Sequence, residues 1–423
     1  MSNKIHDIEN SFRDLTLPRF LKYAGFWTTS NRSNPDTPST QGQWDLAKAL
    51  VEELRSIGLS DVTLTDHCYV IARLPSVQEQ AEPGGKTPTP IGFLAHMDTS
   101  EEVSGKDVKP CLVENYDGKP IALGDGLILD PAKEQDLAAH KGKELIYASS
   151  NTLLGADNKA GIAIVMGAAE YLLKHPEIPH GPVEFIFSPD EETGKGLPEF
   201  PINDIQAQAC YTIDGGPIGE LESECFNAWK ADVKFSGISM HLGTARGSMV
   251  NAALMASVYT AMLPRNESPE ATDGYYGYYC PLAIQGDVEN AHLEVFIRDF
   301  DIKNGERRIA ALESFAKAVE AQFPGGRIEV ITSVQYLNMK EKISARPEVL
   351  EKLRKAFINT GVNIVESPIR GGTDGSELTQ LGIPTPNIFT GGRNFHSRLE
   401  WLSVPEMATS CKLVVELIKL WTE

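Results

Sequence analysis

The segment IGFLAHMDT (residues 91–99) is a continuous apolar run that ends in polar residues, and it indicates the fold of the chain. A strand without polar alternation is typical of a parallel sheet that is buried on both faces. Two further runs have the same form, VEFIFSPDEE (183–192) and ACYTID (209–214), and both end in carboxylates. Between them and the first run lies GADNKAGIAIVMGAAEYLLK (155–174), which predicts a helix. This order predicts a doubly wound α/β fold with ligands beyond the carboxyl ends of the strands.

The pattern changes after Cys225. AWKADVKFSG (228–237) alternates between apolar and polar residues, as a half-exposed antiparallel strand does. Helical and extended patterns then alternate up to residue 336, which predicts an inserted α+β sandwich of the β-α-β-α-β type at 226–336. The flanking segments, 1–225 and 337–423, are predicted to form one α/β domain with a doubly wound mixed sheet.

Composition limits the classes of function. The chain has 423 residues, 41% of them apolar, and a net charge of −19. An acidic surface argues against nucleic acid and anionic membranes as partners. The first residues, MSNKIHDIENSFRDL, contain no apolar segment of the signal-peptide type, so we expect a cytoplasmic protein. The six cysteines are widely spaced and form no CxxC pair, which predicts reduced thiols.

Five dispersed segments place His, Asp or Glu at the ends of apolar runs. They are LAHMDT (94–99), LLGADNKAG (153–161), SPDEETG (188–194), TIDGG (212–216) and NFHSRLEW (394–401). Each alone has an ordinary explanation, such as a core histidine, a helix N-cap, a turn aspartate or a solvated loop glutamate. Together they supply two histidines and several carboxylates, a donor set that suits two divalent metal ions and peptide hydrolysis.

The five segments also occur in the order of a known pattern. The chain resembles the di-zinc aminoacylase/carboxypeptidase-like metallopeptidases, and among them the tripeptide aminopeptidases. The resemblance runs over nearly the whole chain. It is most specific at YTIDGGPIGELESECFNAWKADVKFSG (211–237) and at RGGTDGSELTQLGIPTPNIFTGGRNFHS (370–397).

The resemblance implies two zinc ions per subunit, with cobalt or manganese able to substitute. Asp157 would bridge both ions, and Glu191 would be the general base that activates a hydroxide between them. Asp98 would orient a metal-binding histidine, His96. The implied metal ligands are His96 and Asp214 for one ion, Glu192 and His396 for the other, and Asp157 for both.

The inserted domain resembles the lid of this family, which often also mediates dimerisation. His241 matches the lid histidine that stabilises the oxyanion, although the usual Pro after it is Leu242 here. Arg298 and Arg370 match positions that contact substrate, and an Arg fork suits a terminal carboxylate. For Arg298, an ion pair with Asp299 or Asp301 is the ordinary alternative.

The expected activity is removal of the N-terminal residue from tripeptides. A dipeptidase or an N-acyl amino acid deacylase with the same two-metal site is the nearest alternative. A non-catalytic metalloprotein is a more distant one, since Glu191 and all five ligands are present. The expected partners are small peptides, and the sequence leaves a homodimer open.

Overall fold

The computed structural model describes residues 2–77, 88–149 and 151–423, and the side chains of these residues from 11 onward. Its helices are α1 Ser2–Tyr23, α2 Gln41–Ser56, α3 Gln135–Ala139, α4 Ala156–Lys174, α5 Ala252–Met262, α6 Ile302–Gln322, α7 Lys340–Ser344, α8 Pro347–Thr360, α9 Asp374–Gln380 and α10 Val404–Leu420. The first ten strands are β1 Asp61–Leu64, β2 Val70–Leu74, β3 Ile91–His96, β4 Pro110–Val113, β5 Ile121–Gly124, β6 Leu127–Leu129, β7 Leu145–Ala148, β8 Val183–Ser188, β9 Ala209–Gly215 and β10 Glu220–Glu222. The remaining strands are β11 Asn227–Ser236, β12 Tyr278–Gly286, β13 Asn290–Asp299, β14 Arg327–Tyr336, β15 Val365–Glu366, β16 Asn387–Phe389, β17 Gly392–Arg393 and β18 Trp401–Ser403.

The chain divides into two compact units. The first comprises Met1–Ser223, Met339–Ser367 and Thr373–Glu423, and the second comprises Glu224–Asn338 together with Pro368–Gly372. The sequence-based boundaries of the inserted domain, 226–336, did not include Pro368–Gly372. Because this segment belongs to the second unit, Arg370 lies in the second unit and not in the α/β unit. No local pattern marks residues 368–372, because long-range contacts decide their place: Ile369 pairs with Cys225 across a parallel bridge.

The first unit is built on an eight-stranded mixed sheet with the order β1-β2-β8-β3-β9-β16-β10-β15. Its centre is parallel, since β3 pairs in parallel with β8 and with β9, and β9 pairs in parallel with β16. Every residue of β3 and β8 is buried, which confirms the prediction of buried parallel strands and of an α/β fold. Phe93 stacks on Tyr211 on one face, while Leu94, Ile186 and Cys210 join a core cluster on the other.

Helix α4 covers this sheet by packing on β3 and β9, and α1 and α10 pack against α4. Its sequence is rich in Ala and Gly, which lets the helix approach the sheet closely. The structure also contains a second sheet, β17-β18-β7-β4, and a hairpin of β5 and β6 that sequence analysis did not identify. Their strands are only two to four residues long, too short to show an alternation of apolar and polar residues.

The second unit is an antiparallel sheet, β12-β13-β11-β14, with α5 and α6 packed against it. Residues of one sheet face, including Val233 and its partner Leu293, share a core with Met255 of α5 and Leu312 of α6. This is an α+β sandwich of two layers, as expected. The predicted β-α-β-α-β order was wrong in one element: it omitted β12, whose exposed half (Leu282–Gly286) lacks an alternating pattern.

None of the six cysteines, all of which lie in the described ranges, forms a disulfide. Across the described parts of the chain, no helix is both long enough and apolar enough to cross a membrane.

Candidate metal centre

Three neighbouring strands bring polar side chains together at their carboxyl ends. β3 ends at His96, β9 carries Asp214 next to its last residue, and β8 leads into a 3₁₀ turn, Glu191–Thr193. β3 lies between β8 and β9. In the chain, β3 is followed in this sheet by β8 on one side of it, and β8 is followed by β9 on the other side. Successive connections therefore run in opposite directions across the sheet, and doubly wound sheets bind ligands where the direction changes.

Two segments outside the sheet complete the cluster. Asp157 lies in the first turn of α4, where its backbone angles (φ −85°, ψ 102°) are not helical. His396 lies between β17 and β18 and has a left-handed backbone (φ 58°). Its loop is linked to the sheet because β17 follows β16 directly in the chain.

The two oxygens of Asp157 face two different histidines. Its Oδ1 lies 2.9 Å from His96 Nε2, and its Oδ2 lies 3.2 Å from His396 Nε2. Asp214 Oδ1 lies 3.3 Å from His96 Nε2, and Glu192 Oε2 lies 3.0 Å from His396 Nε2. The five side chains thus form two groups of one histidine and one carboxylate, joined by Asp157.

This donor set fits metal ions. His96, Asp157 and Glu192 each offer a ligand atom within 4.8 Å of the others. The second carboxylate oxygen of Glu192, Oε1, is buried and has no hydrogen-bond partner. A buried carboxylate oxygen without a partner is costly unless a cation meets it. Mixed imidazole and carboxylate ligands suit zinc, cobalt or manganese.

The pKa values of the metal-free protein report the same crowding. Burial, and then the charge of Asp157, raise the pKa of Glu192 to about 8. Burial raises the pKa of Asp214 to about 6 against the opposing charge of His96. Burial opposes the charge of His396, but hydrogen bonds to Asp157 and Glu192 outweigh it and raise its pKa to about 11.

Asp98 connects two parts of this centre. Its side chain is fully buried, and its Oδ1 lies 3.2 Å from His96 Nδ1, on the side of the ring away from Asp157. Its two oxygens also accept the backbone N–H groups of Glu191 (3.0 Å) and Glu192 (3.1 Å). Asp98 therefore holds both a histidine ring and the 3₁₀ turn that carries the paired glutamates.

Glu191 lies three residues after the end of β8 and precedes Glu192. Burial raises its pKa well above the ordinary value, and the carboxylates of Asp214, Asp374 and Glu192 act in the same direction while His96 opposes them. A carboxyl group beside a cluster of like charges has the high proton affinity that a general base needs.

Sequence analysis missed several buried polar residues around the centre. Asn387 Oδ1 accepts the backbone N–H of Asp214 (3.0 Å), and Asp374 accepts the Ser188 hydroxyl (2.5 Å). Glu400, the second-last residue of NFHSRLEW, accepts the backbone N–H groups of Gly155 and Asp157. Their partners lie more than 150 residues away, so no local spacing could have identified them.

The predicted substrate residues all lie in the second unit. His241 is exposed in the loop before a 3₁₀ turn, and Leu242 is 75% exposed. Arg298 is buried, and its NH1 donates to the carbonyls of Trp229 (3.2 Å) and Ile297 (3.0 Å). Arg370 donates to the carbonyls of 274 and 276 (2.8 and 2.9 Å) and to Thr272.

Arg298 also lies over two aromatic rings, Phe296 (4.8 Å) and Tyr336 (5.4 Å). Within the described residues Arg298 makes no ion pair. The two aspartates that could have paired with it have other partners, since Asp299 pairs with Arg308 and the Asp301 side chain caps the start of α6. The ion-pair alternative for Arg298 is therefore not what the structure contains.

Comparison with known proteins shows the family of this chain. The family described as peptidase family M20/M25/M40 matches residues 153–420, more than half of the chain. A relative named peptidase T, from Geobacillus sp. (strain WCH70), is 47% identical over 409 residues, which cover 96% of this chain and 98% of the relative.

Solved structures show the same fold. Aminopeptidase PepT from Bacillus cereus ATCC 10987 has a TM-score of 0.72 at 22% identity, covering 97% of this chain and 99% of that one. A tripeptidase from Staphylococcus aureus subsp. aureus Mu50 has a TM-score of 0.75 at 20% identity and the same coverage. A dinuclear metal-binding peptidase of the M20 family from Bacillus subtilis has a TM-score of 0.64 at 14% identity, covering 97% and 98%. On the family match and the close relative, this chain belongs to peptidase family M20/M25/M40.

Proposed function

We propose that this protein is a metal-dependent exopeptidase that removes the N-terminal residue from tripeptides. The observation that carries the proposal is the geometry of Asp157, whose two carboxylate oxygens face two histidines of two separate groups. One carboxylate between two sets of ligands can hold two metal ions close together, as a two-metal hydrolase does. The name and the tripeptidase description of the relatives support tripeptides as the substrate class.

The proposed cofactor is two zinc ions per subunit, for which cobalt or manganese can substitute. His96 and Asp214 would hold one ion, Glu192 and His396 the other, and Asp157 both. When bound, the ions would lower the pKa of a water to about 7 and polarise the scissile carbonyl.

In the proposed mechanism, Glu191 accepts a proton from the attacking water and returns it to the leaving amine. Asp98 keeps the ring of His96 in one orientation. By accepting the backbone N–H groups of Glu191 and Glu192, it also holds the proposed base, Glu191, next to the proposed metal ligands His96 and Glu192. His241 is the proposed oxyanion donor. Arg298 and Arg370 are the proposed contacts of the substrate's carboxylate, on the family resemblance.

The test is a hydrolysis assay on a free tripeptide, a dipeptide, a tetrapeptide and an N-blocked tripeptide, before chelation, after chelation and after return of zinc. Zinc-restored cleavage of the free tripeptide alone, with release of its N-terminal residue, is the expected result. Cleavage of the dipeptide would move the enzyme to the dipeptidases, and cleavage of the blocked substrate would move it to the deacylases. An absence of cleavage with metal bound would refute the enzymatic proposal.

The proposed partners are small peptides, and neither nucleic acid nor membrane, because the net charge of −19 repels polyanions. A cytoplasmic location stays a prediction. Homodimer formation also stays a prediction, and sedimentation velocity at two protein concentrations would test it.

A further inference from the structure

Glu400 makes an unusual set of contacts for a glutamate that is only 2% exposed. Its Oε2 accepts the backbone N–H groups of Leu154 (2.6 Å) and Gly155 (2.8 Å), and its Oε1 accepts that of Asp157 (3.1 Å). All three donors lie in the turn that leads into α4. The carboxylate is therefore anchored to the backbone of the residue that faces both histidines.

These contacts replace a missing local cap. Helix α4 begins after Gly155, which has no side chain and a left-handed backbone (φ 81°), so the N-cap residue cannot satisfy the first N–H groups of the helix. Unsatisfied N–H groups at a buried helix start are costly, and their partial positive charge attracts an anion. Glu400 supplies from 243 residues away what the local sequence lacks.

The position of Glu400 in the chain adds a second link. It lies four residues after His396, in the same loop between β17 and β18. One loop thus carries both His396, a proposed metal ligand, and Glu400, which holds the turn that contains the proposed bridging ligand Asp157. A displacement of this loop would move His396 directly and would move Asp157 through its hydrogen bond to Glu400, and both movements would change the distance between His396 and Asp157.

A buried cation accompanies this carboxylate. Lys159 is fully buried, its Nζ donates to the carbonyl of Phe26 (2.6 Å), and the carboxylates of Glu400 and Asp98 act on its charge. Burial and the three backbone hydrogen bonds hold the carboxyl group of Glu400 in one position.

We propose that Glu400 is the positioning residue of the two-metal centre: it fixes the backbone of the Gly155–Asp157 turn so that the two oxygens of Asp157 face both metal sites. This inference rests on the proposed function, because it presupposes that Asp157 bridges two metals. Glu400 does not touch substrate or metal in this assignment. Its effect is exerted through the bridging carboxylate, as a carboxylate that orients a ligand does in other metal sites.

The test compares zinc binding by the metal-free full-length protein in three variants, Glu400→Gln, Glu400→Ala and Glu184→Gln. Zinc affinity is measured by competition with a chromophoric chelator, and folding by thermal unfolding of the metal-free forms. Glu184 is the matched control. It is equally buried and also accepts two backbone N–H groups, those of Gln206 (2.9 Å) and Ala207 (2.8 Å), but it contacts no proposed ligand.

We expect Glu400→Gln to weaken binding of at least one zinc ion by about 10- to 100-fold. Gln keeps the shape and one acceptor oxygen, so it should fold even if Glu400→Ala does not. Glu184→Gln should lower the thermal midpoint and leave zinc affinity unchanged. Wild-type affinity for both ions in Glu400→Gln would overturn the proposal, as would an equal loss of affinity in Glu184→Gln.

The measurement needs no substrate, so it separates this proposal from the proposed function. A wild-type protein that binds two zinc ions without cleaving tripeptides would refute the activity and leave the role of Glu400 open to the same zinc comparison. A wild-type protein that binds no zinc would overturn both.

Discussion

Asp157 illustrates how residue chemistry and position combine in this protein. An aspartate near a helix start is ordinarily an N-cap, and its own neighbours do not distinguish that role from a metal ligand. Here its side chain is nearly buried between two histidines, and hydrogen bonds from His396 and His96 outweigh burial and lower its pKa. The carboxylate is therefore ionised at neutral pH and available to cations.

The general-base assignment predicts the behaviour of Glu191→Gln. The amide cannot accept the proton of the attacking water, so turnover should fall by about 100- to 10,000-fold. Metal content should stay at two ions, because Glu191 is not a proposed ligand. Turnover number and metal content by mass spectrometry check this, with Glu192→Gln as the comparison variant that should lose metal. A Glu191→Gln enzyme with substantial activity would refute the assignment.

The bridging assignment predicts the behaviour of Asp157→Ala. One side chain serves two ions, so its loss should reduce the bound zinc by more than one equivalent at micromolar zinc. Equilibrium dialysis with metal analysis measures this. Asp117→Ala removes an exposed carboxylate paired with Lys119 and should bind zinc normally. Two tightly bound ions in Asp157→Ala would contradict the bridging role.

At the scale of elements, the centre depends on the close packing of α4 against β9. A Cβ atom on Gly161 of α4 would lie 2.0 Å from the carbonyl oxygen of Ile213 and 2.2 Å from Asn158 Oδ1. Ile213 precedes Asp214, and Asn158 follows Asp157. Glycine at this position lets the helix start and the strand end meet, and so brings the two proposed ligands to one centre.

Gly161→Ala should therefore destabilise the protein, although Gly→Ala in an exposed helix ordinarily stabilises by about 1 kcal/mol. The overlap with a backbone oxygen should outweigh this gain and leave a net loss of about 1–3 kcal/mol. Urea unfolding of the metal-free protein measures it. Gly167→Ala on the same helix is the control, because its Cβ would meet only side-chain atoms at 3.2 Å. Equal stability of Gly161→Ala and wild type would show that the helix moves freely.

A second contact between elements joins α10 to β17. Glu406 lies 2.8 Å from His140 Nε2, accepts from Arg393 NH1 (2.5 Å), and accepts the N–H of Ile218 (3.2 Å). Burial raises the pKa of Glu406, but His140 and Arg393 outweigh it and hold the pKa below its ordinary value. Its charge therefore stabilises the folded state.

Glu406→Gln removes the closer of the two carboxylates that pair with the buried Arg393, the other being Asp136 at 3.2 Å, and should lower the free energy of unfolding by about 3 kcal/mol at pH 7. A lowered carboxyl pKa contributes stability that is present above the unfolded pKa of about 4.3 and is lost as pH falls through the folded value. The difference between wild type and variant should therefore shrink between pH 5 and pH 3. Urea unfolding at these pH values measures it, and a constant difference would contradict the ionic contribution.

The whole molecule consists of two units, and each has a core of its own. The second unit contains an extensive apolar cluster between its sheet and the helices α5 and α6. All five proposed metal ligands lie in the first unit. A ligand stabilises only the folded unit that binds it.

Calorimetry of the metal-free protein should therefore resolve the two units, and added zinc should raise the midpoint of one transition only. Zinc at about 100 times its dissociation constant adds about 2.7 kcal/mol, enough for a shift of about 4 °C in a unit of this size. Asp157→Ala provides the control, since its transitions should not respond to zinc. A single transition that moves as a whole would contradict independent units.

At this scale, much of the fold follows from sequence patterns. Mostly apolar runs identified β3, β8 and β9, because a strand buried on both faces carries few polar side chains. Strand β12 and segment 368–372 were missed. Half of β12 is exposed and lacks a period, and the short segment joins the second unit only through partners far along the chain.

The sequence by itself determined the order of the main central elements, β3, α4, β8 and β9, and the residue types at the strand ends, because both follow from local periodicity and from chemistry at fixed positions. The tertiary structure alone decided which oxygen of Asp157 faces which histidine, and that Glu400 and Asn387 hold the backbone of the proposed ligands. The contacts of Glu400 and Asn387 join residues more than 150 positions apart. Their geometry depends on how the sheet and its loops pack, and no local pattern in the chain encodes it.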